Sequence, residues 1–423
     1  MPNSSVSPAA ATEAGPHLKR SLTLVHATLY GLGVTIGAGI YVLVGAAAAR
    51  AGMHAPIAFV MAAVLMALSA ASFAELAGRL PVAAGEAAYA RAAFHSDRLA
   101  TLVGLLVIAI AIVSAAAIAV GSAGYLGLFL RLPEPLLIAG IVLAMGAIAS
   151  WGIKESVIFA GVMTLIEIGG LVLLIMAGAA AGPDIVTRLP EALPPLGVAG
   201  VVSGLLGTAL LAVFAFIGFE GLANIAEEVR DPQRTLPRAI FLTLAISTLL
   251  YVLVAWVALV TVPPAELSQS KAPLALVFER LTGASPRTMS LIAIVATLNG
   301  IIVQIIMAAR VLYGLARQGE LPAAFGRVHP RTSTPLLATA VATGVALVLA
   351  LVLPLQHLAD LTSRITLVVF ALVNISLVRI KARGDAAPAH AYITPDWVPW
   401  AGFVSCVALL LADVVLALGG AVR

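Results

Sequence analysis

Two glycine-interrupted apolar stretches decide the fold of this 423-residue chain. The first, at residues 31–45, reads GLGVTIGAGIYVLVG, and the second, at residues 210–229, reads LLAVFAFIGFEGLANIAEEV. Each lies within an apolar run of roughly 20 residues or more, the length that a helix needs to cross a bilayer. Glycine weakens a helix, and unwound backbone at membrane depth is tolerated only where it lines a cavity or is buried in protein. The two stretches therefore predict two interrupted membrane helices whose interruptions face the protein interior.

The composition of the whole chain indicates that lipid surrounds most of it. Hydrophobic residues make up 61% of the chain and charged residues only 10%, whereas a soluble domain carries about 25% charged residues. This excludes a soluble enzyme, a nucleic-acid binder and a disordered chain. The single cysteine, Cys406, excludes an internal disulfide framework and a cysteine-based metal cluster.

About eleven membrane spans are predicted from length and hydropathy. In chain order they cover residues 22–48, 56–78, 99–130, 135–151, 156–178, 198–226, 237–262, 288–315, 335–353, 358–380 and 398–418. The segment 263–283 is too polar to span the membrane. It forms either a short helix that caps a cavity or an ordinary long loop, and the sequence leaves both open.

The basic residues in the loops predict the orientation of the chain. One set of loops carries about twice as many Lys and Arg residues as the other and should be cytoplasmic. This places the N-terminus inside and, with eleven spans, the C-terminus outside. Residues 1–20 are rich in Ser, Pro and Ala, which is typical of a disordered cytoplasmic tail and not of a cleaved signal peptide. The prediction is a multi-pass protein of the cell (inner) membrane.

The interrupted spans are the first and the sixth, which indicates an internal repeat of five spans. Because five is odd, the second copy must insert in the opposite orientation, and interrupted helices at matching places in two inverted halves are typical of a transporter's substrate site. The predicted units are a five-helix repeat at 21–181, an inverted five-helix repeat at 198–381 and an additional C-terminal helix at 395–423. For span 1 alone, Gly33 and Gly37 also fit a GxxxG helix-packing motif.

Interrupted helices suit a zwitterionic ligand. A free helix N-terminus presents N–H groups to an anion, and a free C-terminus presents carbonyls to a cation. An amino acid needs both at close quarters.

Several longer motifs resemble the amino acid–polyamine–organocation (APC) superfamily. Besides the two glycine-rich stretches, they are FAELAGRLPVAAGEAAYARAAF at 73–94, RDPQRTLPRAI at 230–240 and LYGLARQGELPAAFGRVHPRTSTP at 312–335. WGIKES at 151–156 is similar to the cationic amino acid transporter branch and its bacterial relatives. The motifs occur in a consistent order over nearly the whole chain. Eleven spans depart from the twelve or more that are usual in this branch, but the missing helix lies outside the five-plus-five core.

This resemblance implies a main-chain substrate site at the two interruptions. The substrate carboxylate would bind the N–H groups of Ala38, Gly39 and Ile40 in span 1. The substrate ammonium would meet carbonyl groups at both interruptions, near Thr35, Ile36, Phe214, Ala215 and Ile217.

The resemblance also implies that Lys154 takes the place of a sodium ion and couples transport to protons, because a buried lysine can lose its proton. From composition alone, Lys154 is an ordinary cytoplasmic-loop lysine. Glu220 lies near the bilayer centre, so it is either a proton-exchanging group or a hydrogen-bonded carboxyl that shapes the broken helix. Glu167 is a weaker candidate and is predicted to be structural.

Other polar residues within the spans are predicted to be structural. Asp360 and Arg364 are four residues apart on one helix and are expected to pair with each other. Asn299 is expected to bond to a neighbouring helix more than to substrate, and Asp413 lies in the peripheral last span.

The chain contains no P-loop and no HExxH motif. We therefore expect no enzyme activity, cofactor or metal, and transport driven by a gradient or by exchange. The predicted function is proton-coupled symport of neutral L-amino acids by alternating access, in contact with membrane lipid. An amino acid or polyamine exchanger without net proton coupling, including cationic amino acid transport, is the alternative. Oligomeric state and a small membrane subunit stay open.

Overall fold

The computed structural model describes residues 22–80, 85–151, 157–182, 184–195, 198–226, 228–389 and 391–421. Within these residues the regular elements are helices, and β-type pairing is limited to one isolated bridge between Leu22 and Val229. The helices are α1 (Leu24–Ala38), α2 (Ile40–Ala51), α3 (Ala55–Arg79), α4 (Gly85–Phe94), α5 (Asp97–Leu126), α6 (Glu134–Trp151), α7 (Val157–Ala180), α8 (Asp184–Thr187), α9 (Ala199–Phe216), α10 (Pro232–Thr261), α11 (Pro264–Gln269), α12 (Pro273–Thr282), α13 (Pro286–Arg317), α14 (Leu336–Val352), α15 (Leu355–Ala382) and α16 (Trp397–Ala421). Short 3₁₀ segments lie at Gly52–His54, Leu189–Ala192, Phe219–Ile225 and Ala323–Gly326.

The eleven predicted spans all correspond to helices. Nine runs of helix in the described chain are long and apolar enough to cross a membrane, and two shorter apolar helices, Leu24–Gly37 and Leu336–Val352, accompany them. The run Ile40–Arg79 turns at Gly52–His54, so it contains both the second half of span 1 and all of span 2. In order, the spans are α1 with α2, then α3, α5, α6, α7, α9, α10, α13, α14, α15 and α16. The prediction of an all-α membrane protein is confirmed, whereas the orientation of its N-terminus stays a prediction.

Aromatic side chains pack the segment that follows the interruption of span 6 deep in the bundle. Phe219 of this segment forms a three-ring cluster with Phe73 of α3 and Phe370 of α15, in which the ring centroids lie 5.0 to 5.9 Å apart. Edge-to-face rings of this kind add roughly 0.5–1.5 kcal/mol per pair beyond their burial. The cluster ties span 6, just after its interruption, to spans 2 and 10. At the periphery, α16 exposes apolar residues such as Trp400 and Val415, as expected of a helix that faces lipid.

The polar segment 263–283 is helical and is not an ordinary loop. It folds into α11 and α12, and α11 packs on α2 so closely that a Cβ on Gly45 would lie 2.9 Å from the carbonyl oxygen of Leu267. The ammonium of Lys271 forms an ion pair with Glu134 at the start of α6. The two short helices therefore cover the end of the bundle at which α2 ends, which we call the Arg50 end. The opposite end, where α1 begins, is the Leu22 end.

The predicted pairing of Asp360 with Arg364 is wrong. Asp360 accepts two hydrogen bonds from the guanidinium of Arg50, at 2.7 and 2.8 Å, and Arg50 also donates to the carbonyl oxygen of Gly207 in α9. Arg364 instead pairs with Asp413 of α16, 2.7 Å away. A planar guanidinium binds a carboxylate through two parallel hydrogen bonds, and Arg50 makes both of them to Asp360 on a different helix. The Arg50–Asp360 pair consequently joins spans 1, 6 and 10 at the Arg50 end.

We predict that Arg50→Ala destabilises the protein more than the double variant Arg50→Ala/Asp360→Ala does. The side chain of Asp360 is 12% exposed, and removing one partner of a buried pair leaves an uncompensated charge that costs about 3 kcal/mol. Removing both partners avoids this cost. Thermal unfolding in detergent measures the order of stability, with Arg280→Ala/Glu266→Ala as the control for an exposed pair. A double variant less stable than Arg50→Ala would contradict the account.

Candidate substrate site at the interrupted helices

The first interruption is a single residue, Gly39. α1 ends at Ala38 and α2 begins at Ile40, while Gly39 between them has φ −105° and ψ −66°. A helix leaves the carbonyls of its last turn and the N–H groups of its first turn without partners in the helix. The last turn of α1 and the first turn of α2 therefore turn carbonyl and N–H groups that are not used in long helical ladders to the same region.

The second interruption is sharper and depends on Gly218. α9 ends at Phe216, Ile217 is extended, and Gly218 has φ +137°, a backbone conformation that side-chain-bearing residues rarely adopt. The carboxylate of Glu220 accepts a hydrogen bond of 2.8 Å from the N–H of Gly218. Glu220 is 6% exposed, and this contact makes it a side chain that holds the bend.

The two interruptions touch each other through glycines. A Cβ on Gly39 would lie 2.3 Å from the Cα of Ala215, and a Cβ on Gly218 would lie 2.7 Å from both the N and Oγ1 of Thr35. These distances are too short for any real side chain, so the backbones of spans 1 and 6 are in direct contact. The structure thus brings together the predicted residues of both spans.

Tyr251 of α10 joins the carbonyl groups at the two interruptions. Its buried hydroxyl lies 2.8 Å from the carbonyl oxygen of Thr35 and 2.9 Å from that of Ala215, and it donates to this pair. The ring packs against Phe59 and Phe216, with centroids 6.1 and 5.2 Å away. Two carbonyls that the resemblance assigns to the substrate ammonium therefore converge on a single donor atom.

The predicted substrate residues are buried. Thr35, Ile36, Ile40, Phe214, Ala215 and Ile217 are each at most 2% exposed. At the Leu22 end, the chain before α1 pairs with the chain after span 6, since the N–H of Leu22 donates to Glu228 and the N–H of Arg230 donates to Leu22. These two backbone bonds, of 3.0 and 2.9 Å, join the start of span 1 to the end of span 6.

A pocket approaches the site from the other side. Its volume is about 240 Å³, and it lies between α2, the segment around α11 and the start of α15. Its lining residues are Val42, Gly45, Ala46, Ser268, Ser270, Pro354, Leu355, Gln356 and His357. Val42 is two residues beyond Ile40, so the pocket ends within one helical turn of the first interruption.

A second carboxyl lies buried close to the segment that follows Gly218. In α4, a Cβ on Gly85 would lie 3.0 Å from the Cβ of Ala223, and the neighbouring Glu86 is 5% exposed. α4 lies between spans 2 and 3, and burial raises the pKa of Glu86 to about 7.

Some of the predicted functional residues have no described position. Lys154 and its neighbours at 152–156 lie outside the described residues, and only the backbone of Ala38 is described. The predicted role of Lys154 therefore stays a prediction.

Two other residues at the site have only a weak signal in the sequence. Tyr251 is one, and its only signal is a tyrosine in the middle of the apolar span LLYVLVAW. Glu167 of α7 is another: it is fully buried and accepts a hydrogen bond of 3.0 Å from the side chain of Asn299 in α13. Asn299 thus bonds to a neighbouring helix, as expected.

Comparison with known proteins supports the class of protein that the sequence motifs resemble. The family model described as amino acid permease matches residues 22–422. The chain is 30% identical over 428 residues to the branched-chain amino acid permease BcaP of Bacillus subtilis (strain 168), an alignment that covers 95% of this chain and 90% of the relative.

Two further relatives are named for other substrates. The chain is 31% identical to the vacuolar cationic amino acid transporter 2 of Arabidopsis thaliana, over 91% of this chain and 62% of the relative. It is 29% identical to a methylthioribose transporter of Bacillus subtilis (strain 168), over 86% and 82% of the two chains. Relatives of similar identity therefore differ in substrate.

We predict that Gly39→Ala weakens substrate binding and destabilises the protein by about 1–3 kcal/mol, because the new methyl group would overlap the backbone of Ala215. Gly221→Ala is the matched control, since a Cβ there has open space and Gly221 lies in the same region of span 6. The control should stay within about 1 kcal/mol of the wild type. Thermal unfolding with and without substrate measures both effects, and equal behaviour of the two variants would show that the close contact is unimportant.

Proposed function

This chain belongs to the amino acid permease family and is a transporter, and on that basis we propose that it is a secondary active transporter that carries neutral L-amino acids together with protons across the plasma membrane. Its substrate site would be the pair of interruptions in spans 1 and 6. It would work by alternating access, in which the site opens first to one side of the membrane and then to the other.

The convergence of two carbonyls on the Tyr251 hydroxyl is the observation that carries this proposal. The carbonyl groups of Thr35 and Ala215 belong to two different helices, and both lie within hydrogen-bond distance of one donor. A substrate ammonium has three N–H donors and suits such a carbonyl pair better than one hydroxyl does. The N-terminus of α2, which begins at Ile40, would receive the substrate carboxylate on its free N–H groups.

The surroundings of the site support a neutral substrate. Phe214, Phe216 and Ile217 are apolar, and the carboxylate of Glu220 already accepts the N–H of Gly218. Glu220 is therefore not free to pair with a cationic side chain. The likeness to a branched-chain permease agrees with a neutral substrate, whereas the likeness to a cationic amino acid transporter favours the alternative, an exchanger that includes cationic amino acids.

The packing of the helices supports the proposed repeats at 21–181 and 198–381. Under an exchange of each span with the one five places along, α1 corresponds to α9, α3 to α10, α5 to α13 and α7 to α15. The contacts follow this exchange: α1 packs on α10 as α9 packs on α3, α1 on α7 as α9 on α15, and α5 on α15 as α13 on α7. Two structurally similar halves that move against each other would alternate access to a site between them.

The two ends of the bundle support an alternating mechanism in different ways. The backbone bonds between Leu22 and the segment 228–230 join spans 1 and 6 at the Leu22 end, while the pocket reaches inwards from the Arg50 end. The orientation predicted from basic residues makes the Leu22 end cytoplasmic. In this arrangement substrate would approach from outside, and release inside would require the two backbone bonds to break.

Proton coupling rests on Lys154, with Glu220 as a second ionisable group. We predict that purified protein in liposomes accumulates labelled leucine under an inward proton gradient, and not under an inward sodium gradient, at zero membrane potential. Lys154→Ala should abolish the dependence of uptake on pH, with Arg331→Ala as a control at an exposed basic residue.

Three results would decide between the alternatives. Uptake that requires sodium would contradict the proton proposal. Rapid exchange of leucine without net uptake would favour the exchanger. Proton-driven uptake that survives Lys154→Ala unchanged would remove Lys154 from the mechanism and leave the coupling to another group.

A further inference from the structure

Beside the first interruption lies a buried carboxyl that has no counter-charge among the described residues. Glu167 is near the middle of α7 and is 0% exposed. Both of its carboxylate oxygens lie 3.4 Å from the position of a Cβ on Gly37, and the carbonyl oxygen of Ala296 in α13 lies 2.9 Å from the same point. Gly37 is two residues before Gly39. The Glu167 carboxyl therefore faces span 1 at the place where the helix is interrupted.

The hydrogen bonds of this carboxyl are incomplete. Its Oε1 atom accepts from the side-chain N–H of Asn299, while its Oε2 atom has no hydrogen-bond partner among the described residues. Its backbone carbonyl accepts from the hydroxyl of Tyr41, 2.6 Å away. None of the ion pairs formed within the described chain includes Glu167. One oxygen is consequently free to carry a proton.

The groups that face Glu167 do not neutralise its charge. The helices packed against α7 are α1, α10, α12 and α13, with α2 contributing Tyr41. The titratable groups that interact electrostatically with Glu167 are the phenols of Tyr41 and Tyr251, and both donate their protons to backbone carbonyls. The charged residues of α12, Glu279 and Arg280, are exposed. Among the described residues, an ionised carboxylate in this position would be a buried charge without a cation, which is strongly unfavourable in a low-dielectric interior.

We propose that Glu167 is the proton-binding group that couples proton movement to amino acid transport. The assignment rests on the proposed function, because it requires the substrate carboxylate to bind at the N-terminus of α2. That carboxylate and an ionised Glu167 would be two negative charges on either side of residues 37–40, where like charges repel strongly. The substrate therefore binds tightly only when Glu167 is protonated on Oε2.

Linkage makes this coupling reciprocal. If protonation of Glu167 strengthens substrate binding, then bound substrate must strengthen proton binding at Glu167 by the same factor. One proton enters with one zwitterion, and release of the amino acid lowers the proton affinity of the carboxyl so that the proton leaves as well. Glu220 is less suited to this role, because its carboxylate holds the N–H of Gly218.

Asn299 is a positioning residue in this scheme. Its N–H group donates to Oε1 and so stabilises the ionised form of Glu167. Removing this donor should raise the proton affinity of the carboxyl. The effect should appear as a change in the pH profile, which a residue that merely fills space would not cause.

The first test compares Glu167→Gln with the wild type in liposomes, and uses Glu279→Gln as the control for neutralising an exposed carboxyl. Glutamine imitates the protonated side chain. We expect Glu167→Gln to keep exchange of labelled leucine against internal leucine, within a factor of about three, and to lose accumulation driven by a proton gradient. Leucine binding by Glu167→Gln should be independent of pH between about pH 5 and pH 8, whereas binding by the wild type should weaken as the pH rises.

The second test uses Asn299→Ala, which keeps the assignment testable if Glu167→Gln does not fold. Loss of one hydrogen bond to a carboxylate should move the midpoint of the wild-type binding profile upwards by about one pH unit. A midpoint that stays in place or moves down would overturn the role of Asn299, and with it the role of the ionised carboxyl.

The outcomes separate this assignment from the proposed function. Proton-driven accumulation that persists in Glu167→Gln, alongside a proton-coupled wild type, overturns the assignment alone. A wild type that transports leucine without any proton dependence overturns the coupling part of the proposed function and the assignment together. Loss of coupling in Glu167→Gln but not in Lys154→Ala supports Glu167 and removes Lys154.

Discussion

Every unpaired backbone group within a membrane must find a partner inside the protein, and this constraint shapes the centre of the structure. The interruptions at Gly39 and Gly218 free N–H and carbonyl groups at a depth where neither lipid nor bulk water can satisfy them. The protein meets the constraint with its own groups: Tyr251 donates to carbonyls from both helices, and Glu220 accepts the N–H of Gly218. An amino acid, which carries a carboxylate and an ammonium, could replace or add to these internal contacts. The same groups that stabilise the empty site thus define what it can bind.

The rest of the bundle keeps the two interruptions in contact. The cluster of Phe73, Phe219 and Phe370 ties span 6 to spans 2 and 10, and Arg50 joins spans 1, 6 and 10 at the Arg50 end. At the Leu22 end, two backbone hydrogen bonds join the chain before α1 to the chain after span 6. A bidentate ion pair and two peptide hydrogen bonds are each small enough to break on a transport timescale. The large apolar contacts between helices are not, so movement should concentrate at these two ends.

The class of the protein and the positions of its two helix interruptions could be predicted from local sequence, because composition, apolar run length and glycine position are properties of single segments. The eleven spans and the contact between Gly39 and span 6 agree with that prediction. Pairings between distant helices could not be predicted. The sequence spacing predicts that Asp360 pairs with Arg364 on the same helix, but in the structure Asp360 pairs with the guanidinium of Arg50. Tyr251 and Glu167 acquire significance only through what faces them, namely two carbonyls in one case and Gly37 with Asn299 in the other.

Recognition of both charged ends of an amino acid by main-chain groups is the central claim, and ligand-dependent thermal stability tests it most directly. The purified protein would be screened with the common L-amino acids, and each one that stabilises it would be compared with its amine, which lacks the carboxylate, and its carboxylic acid, which lacks the ammonium. The account predicts that a neutral amino acid raises the unfolding temperature and that both analogues fail to do so at the same concentration, because each leaves one set of helix-end groups unpaired. An analogue that stabilises the protein as well as its parent amino acid would contradict the account.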